Sequence, residues 1–336
     1  MSQTIVLTGN TGFIAKHIAL AGLNRGLTIR GTLRDSARAD EVRKALAPHL
    51  SDPSALDRLS FHRADLGSDT GWAEAMAGAE AVLHTASPFP LSMPKDEGDL
   101  IRPAVDGTAR VMRAAQAAGI GRVVLTSSTV SVLDEGKTGI QDESDWCNTE
   151  IPGTTAYAKS KVMAERAAWE IADETGIALT TINPGFVVGP PLDAHYGSSL
   201  GLVERLLSGK DPMMPPLGFP VVDVRDIAEM HLRALERPDT AGHRYLGSGG
   251  SLTMAEMGRI AKAAYPDRKI PTREAPAFVM RLMAFFDPAI RGIVPKLGRL
   301  EQVSTAAAER DLGMSFRPAN EALLASCDWL VRNGKA

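Results

Sequence analysis

Three side chains of this sequence could together pass a proton to or from an oxygen atom: Tyr157, Lys161 and one serine of the pair Ser127-Ser128. A tyrosine and a lysine four positions apart share one helix face and can reach one ligand. A free phenol titrates at about 10, too high for efficient proton exchange near neutrality, and a nearby ammonium favours the phenolate and lowers that value. A serine hydroxyl alongside can donate a hydrogen bond to a carbonyl oxygen and fix its position. Neighbouring residues point to opposite sides of a strand; Ser128 is favoured for this task, with Ser127 its rival. The Tyr-x-x-x-Lys spacing alone means little, since it recurs at Tyr265 and Lys269. There Pro266 and Pro271 exclude a long regular helix, whereas Tyr157 opens an amphipathic run of eighteen residues ending at Glu174.

A second constellation opens the chain. The apolar run Ile5-Val6-Leu7 leads into Gly9-x-x-Gly12-x-x-Ala15 and then a helical pattern. A phosphate is held by backbone N–H groups at a helix N-terminus, where the dipole favours negative charge. Glycines permit the tight turn and the close approach of a pyrophosphate. Gly9, Thr11, Gly12, Phe13 and Ile14 are therefore candidate contacts of a dinucleotide. At the end of the second strand stands Arg34, followed by Arg38 and Lys44. A guanidinium there suits the 2′-phosphate of NADP, whereas an acidic residue would pair the ribose 2′-OH of NAD. Asp35 is the opposing signal, and NADP is the expectation, with Arg34 and Lys44 among its ligands.

The elements that must place these groups alternate. Strand signals at Thr28–Leu33, Leu59–Ala64, Ala81–His84, Arg122–Ser127 and Ala178–Asn183 are separated by helical patterns such as Leu100–Ala118 and Tyr157–Glu174. That alternation predicts an α/β fold with a doubly wound parallel sheet of Rossmann type, whose ligands gather beyond the carboxyl ends of the strands. From Gly189 the texture changes to proline-rich, shorter elements. We expect a cofactor domain over residues 1–188 with a return segment at about 220–247, and a smaller substrate lobe over 189–219 and 248–336. The return is read from Val221–Asp226 and the helix after it. The most lipophilic stretch, Ala277–Phe286, is interrupted by Arg281 and reads as a core-facing helix of the lobe.

An apolar fraction of 44% with 23% charged residues is ordinary for a globular chain, and a net charge of −3 gives no reason to expect nucleic acid or an anionic membrane. Cys147 and Cys327 fit no metal spacing and read as free thiols of a reducing compartment. The first strand begins within a few residues of Met1, so no signal peptide is expected, and the chain reads as cytoplasmic. No metal motif is present, and His84 reads as a satisfied buried imidazole.

Several segments together resemble the extended short-chain dehydrogenase/reductase superfamily, and within it the dihydroflavonol reductases, cinnamoyl-CoA reductases and microbial aldehyde reductases. They are Thr8-Gly-Asn-Thr-Gly-Phe-Ile-Ala15, Arg63-Ala-Asp-Leu66, Leu83-His-Thr-Ala-Ser-Pro-Phe89, Leu125-Thr-Ser-Ser128, Tyr157-x-x-x-Lys161 and Asn183-Pro-Gly-Phe-Val-Val-Gly-Pro190. The resemblance implies that Ser128, Tyr157 and Lys161 are catalytic and that Asp65 and Leu66 lie at the adenine. It also implies that Thr85, Ala86 and Ser87 line the cofactor, with Pro184 and Val187 near the nicotinamide. It implies NADPH-dependent reduction of an aldehyde or ketone by a monomer or homodimer. Phe89, Phe186 and Tyr196, with Pro90 and Phe219, are candidate substrate contacts. The segment Pro152-Gly-Thr-Thr-Ala-Tyr157 lacks the aromatic and cysteine residues of the CoA-thioester reductases. A nucleotide-sugar epimerase or dehydratase with tightly bound NAD is the alternative; Arg34 and the lack of an acidic pair after Ser128 argue against it. A non-enzymatic cofactor sensor would typically lack the Tyr–Lys pair.

Overall fold

Short runs such as Ile5-Val6-Leu7 and Val123-Val124-Leu125 have no polar side, so the strands they form must be covered on both faces. The computed structural model, which describes residues 3–87 and 96–336, has this arrangement. The chain begins with β1 (Thr4–Thr8), α1 (Phe13–Asn24), β2 (Thr28–Leu33), α2 (Ala39–Leu46), β3 (Leu59–Arg63) and α3 (Trp72–Met76). It continues through β4 (Ala81–His84), α4 (Gly98–Ala117), β5 (Arg122–Thr126), β6 (Ile140–Gln141), α5 (Ala156–Thr175) and β7 (Ala178–Pro184). Next come β8 (Phe186–Val188), α6 (Ser198–Ser208), β9 (Gly218–Asp223), α7 (Val224–Glu236), β10 (Arg244–Gly247) and β11 (Ser251–Thr253). The last elements are α8 (Met254–Ala264), α9 (Ala277–Met283), α10 (Pro288–Ile293), β12 (Gln302–Val303), α11 (Ala306–Asp311) and α12 (Ala319–Arg332).

Seven parallel strands form the central sheet in the order β10-β7-β5-β4-β1-β2-β3. This is the expected Rossmann-type α/β fold. Alternate residues of β1 serve opposite faces: Ile5 and Leu7 join α1 and α7, while Val6 joins α4 and α5. The strand order reverses between β1 and β4, which opens a crevice beyond their carboxyl ends. All of the groups singled out by the sequence at strand ends converge on that edge.

The strand expected at Val221–Asp226 forms as β9 and pairs with β8 and β11 in a separate three-stranded sheet, while its Val222 packs into the core of β1, α1 and α7. The chain leaving β7 and β9 run close at Gly185, where a Cβ would stand 2.5 Å from the Pro220 carbonyl oxygen. The return to the main sheet is made by α7 and β10. The Ala277–Phe286 stretch, expected to face the core, does so on one side only. Phe278, Phe285 and Phe286 are 73%, 75% and 85% exposed, while Met280 and Ala284 are buried. A helix of two turns can bury only one of its sides, and in α9 that side is Met280. Both cysteines are buried free thiols. Among the described residues no helix is long and apolar enough to cross a membrane.

Candidate active site

The turn from β1 into α1 is shaped by what glycine permits. Gly9 has φ +67°, and a Cβ on it would lie 3.0 Å from that of Ala86. Gly12 N–H donates to Gly9 O at 2.8 Å, and Gly12 starts α1 with no side-chain cap. The first N–H groups of a helix have no intrahelical partner, so those of Phe13 and Ile14 are available to an anion at the positive end of the dipole. A cleft of about 880 Å³ lies beyond, large enough for a dinucleotide. Of the residues expected at a cofactor, Gly9, Thr11, Gly12, Arg34, Asp65, Leu66, Thr85, Ala86 and Ser87 line it. Phe13 and Ile14 are not in its wall, because their side chains pack into the interior.

At the rim, the exposed Arg34 has no hydrogen bond or ion pair among the described residues. Asp35, the opposing signal in the sequence, is occupied: its carboxylate accepts from Ala37 N–H at 3.0 Å and caps the short turn Ser36–Arg38. Arg38 also lines the cleft but is gripped by Glu41 through two bonds of 2.9 and 2.7 Å. Lys44, expected among the cofactor ligands, is not in the cleft wall. The face of α2 that packs inward is taken by Val42, Ala45 and Leu46, which leaves Lys44 exposed.

Deeper in, the Thr8 hydroxyl ties β1 to β4. It accepts from Thr85 N–H and Ala86 N–H at 3.1 and 3.0 Å, which leaves its proton for His84 Nδ1 at 2.8 Å. His84 is therefore the Nε2–H tautomer, held neutral by burial with a pKa lowered to about 3. It is buried as expected, but its Nε2 has no hydrogen-bond partner among the described residues.

The candidate catalytic groups converge at the ends of β4 and β5 and the first turns of α5. Thr155 caps α5 by accepting from Ala158 N–H at 3.1 Å, which places Tyr157 in the first turn. Ser128 leads into the turn Thr129–Ser131 after β5 and shares a hydrogen bond with Tyr157. Ser127 points the other way and donates to Glu165 Oε2 at 2.5 Å. Lys161 Nζ donates to Ser87 Oγ at 3.1 Å and lies 5.8 Å from the Tyr157 ring centre. Burial pushes the Tyr157 phenol above its ordinary value, with the Ser128 hydrogen bond opposing. Burial also pushes Lys161 down to about 8, with the negative charge of Glu165 opposing. The expected lowering of the phenol by Lys161 is not found: burial dominates, and the group that opposes it is Ser128.

Pro184 is buried at the end of β7, and Val187 on β8 packs against Phe13 and Val224. Phe186 meets Phe219 with ring centres 4.8 Å apart. Tyr196 is engaged elsewhere: its hydroxyl donates to Glu204 at 3.0 Å and its ring packs on Trp329. Phe89 and Pro90 lie outside the described residues. Tyr265, the hydroxyl of the second Tyr-x-x-x-Lys, ends α8 and donates to Asp328. The sequence reading missed Glu165, Asn183 and Arg244, which surround Ser127 from behind. The one available signal was the position of Glu165, four residues after Lys161 and on the same helix face.

Relative to an anthocyanidin reductase of Vitis vinifera, (2S)-flavan-3-ol-forming, the chain is 30% identical over 288 residues, spanning 80% of this chain and 83% of that one. Relative to the dihydroflavonol 4-reductase of Hordeum vulgare it is 33% identical over 279 residues, spanning 81% and 77%. The solved structure of the yeast methylglyoxal/isovaleraldehyde reductase Gre2, complexed with NADPH, superposes with a TM-score of 0.81 at 27% identity, covering 99% of this chain and 100% of that one. The sequence profile of the NAD dependent epimerase/dehydratase family matches residues 5–246, from β1 to the end of the central sheet. A match of that extent, on a fold whose switch point carries the glycine turn, settles the kinship: the chain belongs to the NAD dependent epimerase/dehydratase family.

Proposed function

We propose that this chain is an NADPH-dependent reductase of aldehydes or ketones in which Ser128, Tyr157 and Lys161 are the catalytic residues. The observation that carries the reading is that Lys161, one helical turn from Tyr157, donates to Ser87 in the wall of a dinucleotide-sized cleft, while Ser128 acts on the same phenol. The reductase relatives and the NADPH complex of the yeast structure support it. The residues present suit the cofactor: Gly9 leaves no room for a side chain beside Ala86, and Arg34 offers a guanidinium to a 2′-phosphate.

Bound NADPH supplies the hydride that reduces the carbonyl carbon. Ser128 Oγ donates to the carbonyl oxygen and fixes it beside Tyr157. Tyr157 Oη, kept protonated by burial, gives that oxygen its proton. Lys161 Nζ, already directed at the cofactor wall through Ser87, holds the ribose hydroxyls, and its charge favours the phenolate as the proton leaves. Phe186 and Phe219 offer an apolar wall for the substrate. We assign the cofactor to the part built from residues 1–188 with α7 and β10, and the substrate to the remaining lobe.

The test is consumption of NADPH, and separately NADH, with a panel of aliphatic and aromatic aldehydes, ketones and dihydroflavonols. Replacing Tyr157 by Phe should lower kcat by about 100- to 10,000-fold while NADPH still binds. Undiminished turnover in Tyr157→Phe would overturn the assignment. NAD released on denaturation, with no net NADPH consumed, would replace the reductase by an epimerase or dehydratase.

A further inference from the structure

A carboxylate with no access to solvent stands behind the reacting groups. Glu165, one turn after Lys161 on α5, has a side chain that is 0% exposed. Ser127 Oγ, Ser131 Oγ and Asn183 Nδ2 donate to its Oε2 at 2.5, 2.6 and 2.9 Å. Arg244 Nε and Thr181 Oγ1 donate to Oε1 at 2.7 and 3.1 Å. Such a set of donors fills the acceptor sites of an ionised carboxylate, of which there are about four. Burial alone would raise the Glu165 carboxyl, but the Arg244 charge and these hydrogen bonds outweigh it and hold it below its ordinary value.

The donors are not scattered. Ser127 precedes Ser128 in the chain and Ser131 follows it, so one carboxylate oxygen grips the turn on both sides of the residue that meets Tyr157. Asn183 extends the grip by donating to the Ser128 carbonyl oxygen at 3.3 Å. Arg244 is in turn fixed by the Glu143 and Asp145 carbonyls at 2.9 and 2.7 Å, with its guanidinium 3.8 Å from the Trp146 ring centre. A buried ion pair is weak evidence for stability, because desolvating two charges offsets their attraction. Its placement directly behind the site therefore calls for another account.

We propose that Glu165 is a positioning residue of this site: its hydrogen bonds clamp the turn that carries Ser128, and its charge anchors the Lys161 ammonium from one helical turn away. The inference rests on the reductase reading for what Ser128 and Lys161 accomplish. Burial lowers Lys161, and the charge of Glu165 opposes that fall. The other titratable groups around the pair are Tyr157 on α5, His84 on β4 and Arg244 on β10. His231 on α7, bonded to Thr126 beside Ser127, is kept neutral by burial, as is His84. Neither imidazole supplies charge near neutrality.

The experiment compares wild type with Glu165→Gln, which keeps the shape and removes the charge. Competitive acetylation of lysines by acetic anhydride across a pH series, read at Lys161 by mass spectrometry, reports amine protonation without turnover. The midpoint should fall by about one unit in Glu165→Gln, and the alkaline limb of kcat should fall with it. Turnover of the variant is then roughly tenfold below wild type on the alkaline side, and recovers as the pH is lowered. Glu165→Gln leaves the Arg244 guanidinium unpaired, so the double variant Glu165→Gln/Arg244→Met carries the same measurement if the single variant fails to fold. Its midpoint falls too, because Glu165 is the charge that acts on Lys161. An unmoved midpoint, with only a lower Tm, overturns the proposal and makes Glu165 part of the scaffold. A shifted midpoint in a protein that reduces no carbonyl compound supports the hold of Glu165 on Lys161 and overturns the reductase reading instead.

Discussion

Arg38 and Glu41 close to 2.7 Å at the rim of the cleft, and Arg244 and Glu165 close to the same 2.7 Å behind Ser128. The side chains of the first pair are 33% and 27% exposed; those of the second are 8% and 0% exposed. Equal distances therefore describe unequal interactions. Water screens the rim pair and solvates either partner if they part, so an arrangement of that kind contributes little and is readily exchanged for another anion. The inner pair has no such alternative, and separating it strands a charge in the interior. The two ends of the cleft differ accordingly. The nucleotide end is made of glycine backbone, helix N–H groups and surface cations, whereas the end proposed for the reaction is backed by a buried network whose donors share one carboxylate.

The comparison is broken most severely from the basic side of the inner pair. Arg244→Met should remove about 3–5 kcal/mol from the unfolding free energy measured in urea. That deficit should shrink on acidification. Without its partner, Glu165 titrates in the folded protein above its unfolded value, the folded state binds more protons, and stability rises as the pH falls. A loss below about 1 kcal/mol would put both pairs in one class. The middle effect lies at the rim and concerns binding. Arg34→Ser should weaken NADPH by roughly 10- to 100-fold in a fluorescence titration, with NADH unaffected. Equal weakening of both cofactors would mean that Arg34 does not read the 2′-phosphate. The smallest effect is Glu41→Gln, which should change stability by less than about 1 kcal/mol; a larger change would show the rim to be as rigid as the inner wall.

What could be read in the sequence was what depends on a special residue at a fixed spacing. The turn at Gly9 demands a left-handed backbone, and the strand and helix on either side announce themselves by their periodicity. Tyr157 and Lys161 stand at the head of a long amphipathic run, so their helix and their shared face follow from local pattern. Ser127 and Ser128 could not be separated that way, because the difference between them is a hydrogen bond to Glu165. Glu165 itself looks like any helical glutamate. Its burial depends on Arg244, 79 residues further along, and no local pattern encodes that meeting. The same holds for β9, whose apolar run suits either sheet, and for α9, whose composition does not say whether anything covers it. The capping bond of Asp35 and the outward turn of Lys44 likewise follow from how α2 is seated.

The 79 residues between Glu165 and Arg244 also set an order of birth. A ribosome adding about 5–20 residues per second releases the carboxylate roughly 4–16 s before its guanidinium. In that interval β1 to β5 and the glycine turn are already complete, while β10, the edge strand that carries Arg244, does not yet exist. The growing chain must leave the central sheet, lay down β8, α6 and β9, and come back before the wall behind Ser128 can close. The nascent protein thus has the shape of a nucleotide holder before it has the shape of a reductase, and its reaction end is the last part of the central sheet to set.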